Sequence, residues 1–150
     1  IFQYNIKRDK IDEIMEQVKC PVAVFVNRQY REGSTVSFVL GGMIDLFLFS
    51  YLDKMLQNGH SVRLFLFDTD DEEFRGRIDD LQVRYPEQTM IVWFAGVEDL
   101  VTEEKDGLLI MSHLSYTKLS EDEAVMRELS SLLVIRRNKN TGDKNEGLEN

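Results

Sequence analysis

VSFVLGGMIDLFLFSYLDKMLQNGHSVRLFLF, residues 36 to 67, contains a complete structural unit. Val36 to Leu40 is a short β-branched and aromatic run of strand length, closed by Gly41-Gly42. Met43 to Gln57 reads as a helix, and Asn58-Gly59 is a good C-terminal stop for it. Ser61 to Phe67 is a second apolar run. Strands that are apolar throughout, joined by a helix, belong to parallel sheets covered on both faces.

The alternation continues downstream. Asp68 to Tyr85 reads as a helix with an acidic start, stopped before Pro86, and Thr89 to Ala95 as a strand. A short helix or turn spans 97–107, followed by the strand Leu108 to Ser112. SEDEAVMREL is a final helix and SSLLVIRR carries the last strand, Leu132 to Arg136. With right-handed crossovers this order predicts a doubly wound, five-stranded parallel sheet in a three-layer α/β/α sandwich. Residues 138 to 150 are polar, with Leu148 as their one large apolar residue, and are expected to be disordered.

Residues 1 to 30 do not start such a unit; they resemble the end of one. Ile11, Ile14, Met15 and Val18 fall at helical spacing, Pro21 stops that helix, and Val22 to Val26 is a buried-strand run. DEIMEQVKCPVAVFVNR, residues 12 to 28, has the shape of EAVMRELSSLLVIRRNK, residues 123 to 139. The expected division is therefore the last helix and strand of a preceding similar unit (1–30), a full unit (31–137) and a tail (138–150). The start at Ile1 without Met fits a piece of something longer.

Composition narrows the function classes. A chain of 150 residues, 43 % hydrophobic and 30 % charged, has the make-up of a globular domain. A net charge of −9 argues against a nucleic-acid or anionic-membrane surface, since both reward Lys and Arg. One cysteine, Cys20, excludes an internal disulfide and fits a reducing compartment. The most apolar stretch, MIDLFLFSYLDKML, carries Asp45, Ser50 and Asp53 and is too short and polar to span a bilayer.

The layout from Val36 to Arg137 resembles a universal stress protein domain, of the adenine nucleotide alpha hydrolase-like class. DGLLIMSH followed by SEDEAVMRELSSLLVIRR stands where that family has its phosphate loop, last helix and last strand. More narrowly, KCPVAVFVNR, STVSFVLGG and GHSVRLFLFD resemble the cytosolic C-terminal region of cation/proton antiporters of the sodium/proton exchanger type. That resemblance implies two degenerate stress-protein-like units in tandem behind a transmembrane transporter domain.

The chain departs from the nucleotide-binding members. No Asp stands at the turn after the first strand, where Gly41-Gly42 is found, and no glycine-rich loop follows Ser112. Phosphate loops need glycine so that backbone N–H groups close around the anion. Ser120 and Glu123 instead form an S-x-x-E capping box, and Glu121, Asp122 and Glu123 put carboxylates where phosphate would go. No nucleotide cofactor is expected. A small-molecule or nucleotide effector has one natural place, the crevice where strand order reverses, between Val36–Leu40 and Leu108–Ser112. Gly41, Gly42, Ser112, His113 and Ser115 would line its mouth; a tight strand-to-helix turn is the plainer reading of the two glycines.

Other candidates carry plainer readings as well. Asp68, Asp70, Asp71, Glu72 and Glu73 offer oxygen ligands but match no calcium loop, and read better as a capped helix start with Thr69 or Asp70 as N-cap. His113 is a candidate pH sensor, and His60 a solvent-facing turn residue. Cys20 is expected to be buried. Phe47, Phe49, Tyr51 and Trp93 read as core, and a helix apolar nearly all round should be buried on more than one side. No nucleophile elbow accompanies Ser115.

The function expected is thus non-enzymatic: a regulatory or dimerisation domain of a monovalent cation/proton antiporter, at the cytoplasmic face of the plasma or inner membrane. Its partners would be the transporter domain of the same polypeptide and, through the edge strand Leu132–Arg136, either Val22–Val26 or a second copy in a homodimer. The alternatives are a free-standing nucleotide-binding stress protein and an α/β hydrolase-type enzyme using Asp68 or Asp70.

Overall fold

The computed structural model describes residues 2–4, 8–101 and 105–137. In chain order the elements are β1 (Phe2–Tyr4), α1 (Arg8–Gln17), β2 (Val22–Val26) and β3 (Val36–Leu40). A 3-10 segment (Met43–Leu48) then leads into α2 (Phe49–Gln57), β4 (Val62–Phe67), α3 (Glu72–Arg84) and β5 (Thr89–Phe94). A 3-10 turn (Val97–Leu100), β6 (Leu108–Ser112), α4 (His113–Leu119), α5 (Glu123–Glu128) and β7 (Ser131–Arg136) complete it. The expected tail, 138–150, lies outside the described residues.

The strands form one sheet in the order β1-β2-β7-β6-β3-β4-β5. From β5 to β7 every pairing is parallel. The chain lays down β3, then β4 and β5 to one side, then crosses back to β6 and β7 on the other. The reversal therefore falls between β3 and β6, as residues 36 to 67 and 108 to 112 predict. The five strands of the parallel part are not the whole sheet. β2 pairs antiparallel with the outer edge of β7, and β1 adds to β2 in parallel, giving seven strands. The β7 edge, one expected seat of a homodimer, is thus occupied by β2 of the same chain.

Helices lie on both faces because side chains alternate along each strand. Phe38, Leu40, Leu64, Leu66 and Ile110 point to one face, under Leu52 and Leu56 of α2 and Phe74, Ile78 and Leu81 of α3. Val39, Phe65, Met111, Val24 and Val134 point to the other, under α1 (Ile11, Met15), α4 (Tyr116, Leu119) and α5 (Met126, Leu129). Burial on both faces is why these strands read as unbroken apolar runs. Removing a Leu such as Leu64 or Leu52 from water contributes about 2 kcal/mol, so either layer alone outweighs any surface ion pair of the protein.

Several local expectations change. Asp71, rather than Thr69 or Asp70, caps α3: its carboxylate accepts from the Phe74 N–H at 3.2 Å, and the Thr69 hydroxyl accepts from the Asp71 N–H. The helix expected at Met43 to Gln57 opens as a 3-10 segment and becomes α-helical only at Phe49. It buries Leu48, Leu52 and Leu56 but leaves Tyr51 48 % exposed. Trp93 is 41 % exposed because β5 is an edge strand, and Arg75 lies over its ring at 4.6 Å. Cys20 is exposed, since it sits in the α1–β2 connection beyond the buried face of α1.

The β2–β7 junction has local two-fold character. Val24 and Val134 are paired at its centre. On one side the Arg28 guanidinium donates to the carbonyls of Met126 (2.5 Å) and Leu129 (3.1 Å), at the end of α5. On the other side Arg136 donates to the carbonyls of Met15, Val18 and Cys20, at the end of α1. Arg136 is the last residue of β7, and Arg28 stands two residues beyond the end of β2. Because the pair is antiparallel, each arginine lies beside the helix that precedes the other strand and satisfies free carbonyls at that helix end.

Candidate functional site

The crevice at the strand reversal is built from the ends of β3 and β6. Gly41 and Gly42 follow β3, and Ser112 ends β6. No loop follows Ser112; α4 starts at once, with Ser112 as its N-cap, and the Ser112 hydroxyl accepts from the Ser115 N–H at 3.1 Å. The capping box expected at Ser120 and Glu123 does not form. Ser120 stands at the end of α4 and donates to the Thr117 carbonyl, while Asp122 caps α5 by accepting from the Val125 N–H. The helix N-terminus that faces the crevice is therefore capped by Ser112, eight residues before the Ser120 that the sequence pattern suggested.

Asp45 enters this crevice from the 3-10 segment. It is 0 % exposed. Its Oδ2 accepts from the Gly41 N–H at 2.5 Å and from the Ser115 hydroxyl at 3.1 Å. Its Oδ1 is buried and has no hydrogen-bond partner among the described residues. Gly41 is glycine for a reason of space: a Cβ there would lie 3.2 Å from Asp45 Oδ2 and 3.3 Å from Ser115 Oγ. Gly42 has φ 130°, a backbone state that favours glycine and turns the chain from β3 into the 3-10 segment.

The structure thus brings Gly41 and Ser115 onto Asp45, with Ser112 tied to Ser115 through its cap. The donors that an anion would use at this place are committed to internal acceptors: the Gly41 N–H and Ser115 hydroxyl to Asp45, the Ser115 N–H to Ser112. A phosphate arriving here would have to displace a carboxylate and then sit beside it, and close like charges repel strongly in a buried site. The sequence pattern offered one signal for Asp45 that was not used: an acid inside an otherwise apolar turn, MIDLFLF, just beyond the end of β3.

His113 turns away from this cluster toward α1. Its Nε2 lies 2.8 Å from Asp12 Oδ1, in a pair that is largely shielded on the histidine side. The contact joins the first residue of α4 to α1, across the junction between the amino-terminal segment and the central unit. His60 is exposed, as its turn position implies.

The acidic run after β4 does not form a site. Asp68 is 80 % exposed and paired with Arg75 at 2.9 Å, and Asp71 is engaged as a cap. Among the described residues no three His, Cys, Asp or Glu side chains gather as a metal cluster. An open groove of about 990 Å³ lies at the other end of the sheet, at the starts of β3, β4 and β5, near Tyr30, Arg63, Gln88 and Met90. It contains none of the crevice residues named above. No family model matches the chain, and neither a curated protein nor a solved structure does.

Proposed function

We propose that the chain is a regulatory part of a membrane monovalent cation/proton antiporter, on the cytoplasmic face of the plasma or inner membrane, which acts by docking and conformational coupling and not by catalysis. The reading rests on the resemblance of KCPVAVFVNR, STVSFVLGG and GHSVRLFLFD to the C-terminal region of such transporters. The structural observation that carries it is the antiparallel meeting of β2 and β7, with Arg28 bonded to the end of α5 and Arg136 to the end of α1. A helix and strand that end one unit, joined tail to tail with the helix and strand that end the next, are what a tandem of two similar units produces. The crevice adds support, because its anion donors are spent on Asp45.

No helix among the described residues is long and apolar enough to cross a membrane, so ion movement would belong to other segments of the polypeptide. Its partner in this reading is the transporter domain of the same chain. The test begins with the parent reading frame, in which roughly ten or more apolar spans of about 20 residues are expected ahead of Ile1. Exchange is then followed by fluorescence quenching in everted vesicles, comparing the intact parent with one lacking residues 36–136. A changed pH or ion dependence of exchange is the expected result. A parent without such spans, or a deletion with unaltered exchange, would sink the reading.

A further inference from the structure

Arg28 carries a charge that the fold leaves unanswered. Arg31, Arg75, Arg84 and Arg127 each face a carboxylate. Arg28 is partly buried and faces none among the described residues. A cation taken out of water without a counter-charge is costly. Capping the end of α5 accounts for one of its nitrogens only, since both carbonyl bonds leave from Nη1. Nε and Nη2 have no acceptor among the described residues. These two form the planar fork that matches two oxygens of one anion.

The topology gathers more donors around this fork. Antiparallel pairing brings the end of β2 to the start of β7, and the parallel β6–β7 pair sets the start of β6 beside them. An open pocket of about 380 Å³ results, between the turn after β2, the approach to β6 and the end of α5. Lys105 donates to the Glu128 carbonyl at 2.8 Å, and Arg28 to the next carbonyl, that of Leu129. Ammonium and guanidinium therefore stand on neighbouring peptide groups. Arg127 also lines the pocket, so three of its four charged residues are basic, in a chain of net charge −9. The fourth, Glu128, lies 3.9 Å from the Lys105 ammonium, and Arg127 is 3.9 Å from Glu123. Asn27 uses its Oδ1 on the Tyr30 N–H, which leaves its amide nitrogen as a donor. Gln29, on the same wall, has φ 71°, a backbone state uncommon outside glycine that recurs at ligand sites.

We propose that this pocket binds a phosphate group, as the free ion or as a small phosphomonoester, with the Arg28 fork on two of its oxygens and Lys105 and Arg127 beside them. Three cations exceed the need of one carboxylate and suit a dianion. The pocket is open, so the organic part of an ester can project into solvent. The contrast with the β3–β6 crevice is one of commitment: there the donors are spent on Asp45, and here the fork is unspent. A bound phosphate would join the turn after β2 to the end of α5, across the junction of the amino-terminal segment with the central unit. The inference stands on these contacts and does not depend on the antiporter reading.

The experiment is an amide NMR titration of the full chain with inorganic phosphate, glycerol 3-phosphate and acetate at constant pH and ionic strength. Saturable shifts are expected at Arg28, Gln29, Lys105 and Arg127, with Gly41 and Ser115 unmoved. Arg28→Lys keeps the charge and loses the fork; Lys105→Ala removes one cation at the rim. Each should raise the half-saturating phosphate concentration by about tenfold. A role confined to capping α5 would give no phosphate response to lose. Tighter binding of the ester would assign the site to a phosphomonoester, and tighter binding of inorganic phosphate to the free ion. Shifts that do not saturate, or that scatter over the chain, would overturn the proposal. So would acetate binding as tightly as phosphate, or a midpoint unchanged in the variants; should Arg28→Lys fail to fold, Lys105→Ala decides alone.

Discussion

Gly41 shows how much a single position can hide. In the sequence it is half of a Gly-Gly pair after a strand, which fits a tight turn and equally a ligand approach. The structure shows a third reason, the room needed by Asp45 Oδ2 and Ser115 Oγ. Gly41→Ala should therefore cost about 1–3 kcal/mol in urea unfolding, because a methyl group pressed against a buried hydrogen-bonded pair cannot be relieved by solvent. A neutral result would mean that the Asp45–Ser115 contact yields easily. Asp45 itself was not legible, although its neighbourhood was. Gly41, Ser112 and Ser115 were all expected at the crevice from strand order alone, since topology brings strand ends together whatever their chemistry. Which side chain fills the crevice depends on the 3-10 geometry of Met43–Leu48, and an apolar run with one acid does not announce that geometry.

Strands were the most legible elements, because two-face burial leaves continuous apolar runs of the right length. Helices were legible where an apolar stripe is long, as in α1 and α3, and not where it is short. α4 has seven residues, HLSYTKL, with no acidic start, and its cap is the last residue of a strand, so it reads as a loop. The two helix–strand junctions were visible as a pattern, but not the arginines that fasten them to each other. Arg28 is partly buried, which pushes its guanidinium below its ordinary range; Tyr116 offsets part of this. It stays charged at any ordinary pH and is held by two carbonyls of the α5 end, with the Arg28 N–H donating to the Ser131 hydroxyl at 2.7 Å. Arg28→Ala should lower stability by about 1–2 kcal/mol, the magnitude of charge-assisted bonds at a half-exposed site. Hydrogen exchange is the sharper readout: amides of α5 and β7 should lose protection while those of α3 keep theirs. Equal loss everywhere would mean that Arg28 serves global packing and not the α5 end.

For the molecule as a whole, the decisive feature is that the central parallel strands are closed at β7 by the amino-terminal segment. β7 carries Leu132 and Val134 on the face covered by α1, and its outer edge is satisfied by β2. Remove residues 1–27 and that edge offers unpaired N–H and C=O groups beside an apolar strip that includes Met126 and Leu129. Strand edges in that condition recruit a substitute. The best substitute is a second β7, because β2 already shows that a strand of similar character fits there in antiparallel register. Light scattering behind a sizing column should therefore find residues 28–150 as a dimer at concentrations where the full chain is a monomer. Leu133→Pro in the shortened chain should return it to a monomer by removing a ladder donor at the would-be axis. A monomeric shortened chain would show that β7 tolerates its open edge, and β2 would then be a passenger on the sheet and not its closing strand. A dimer would mean that the amino-terminal segment answers, within one polypeptide, a pairing that the central unit otherwise seeks in another copy of itself.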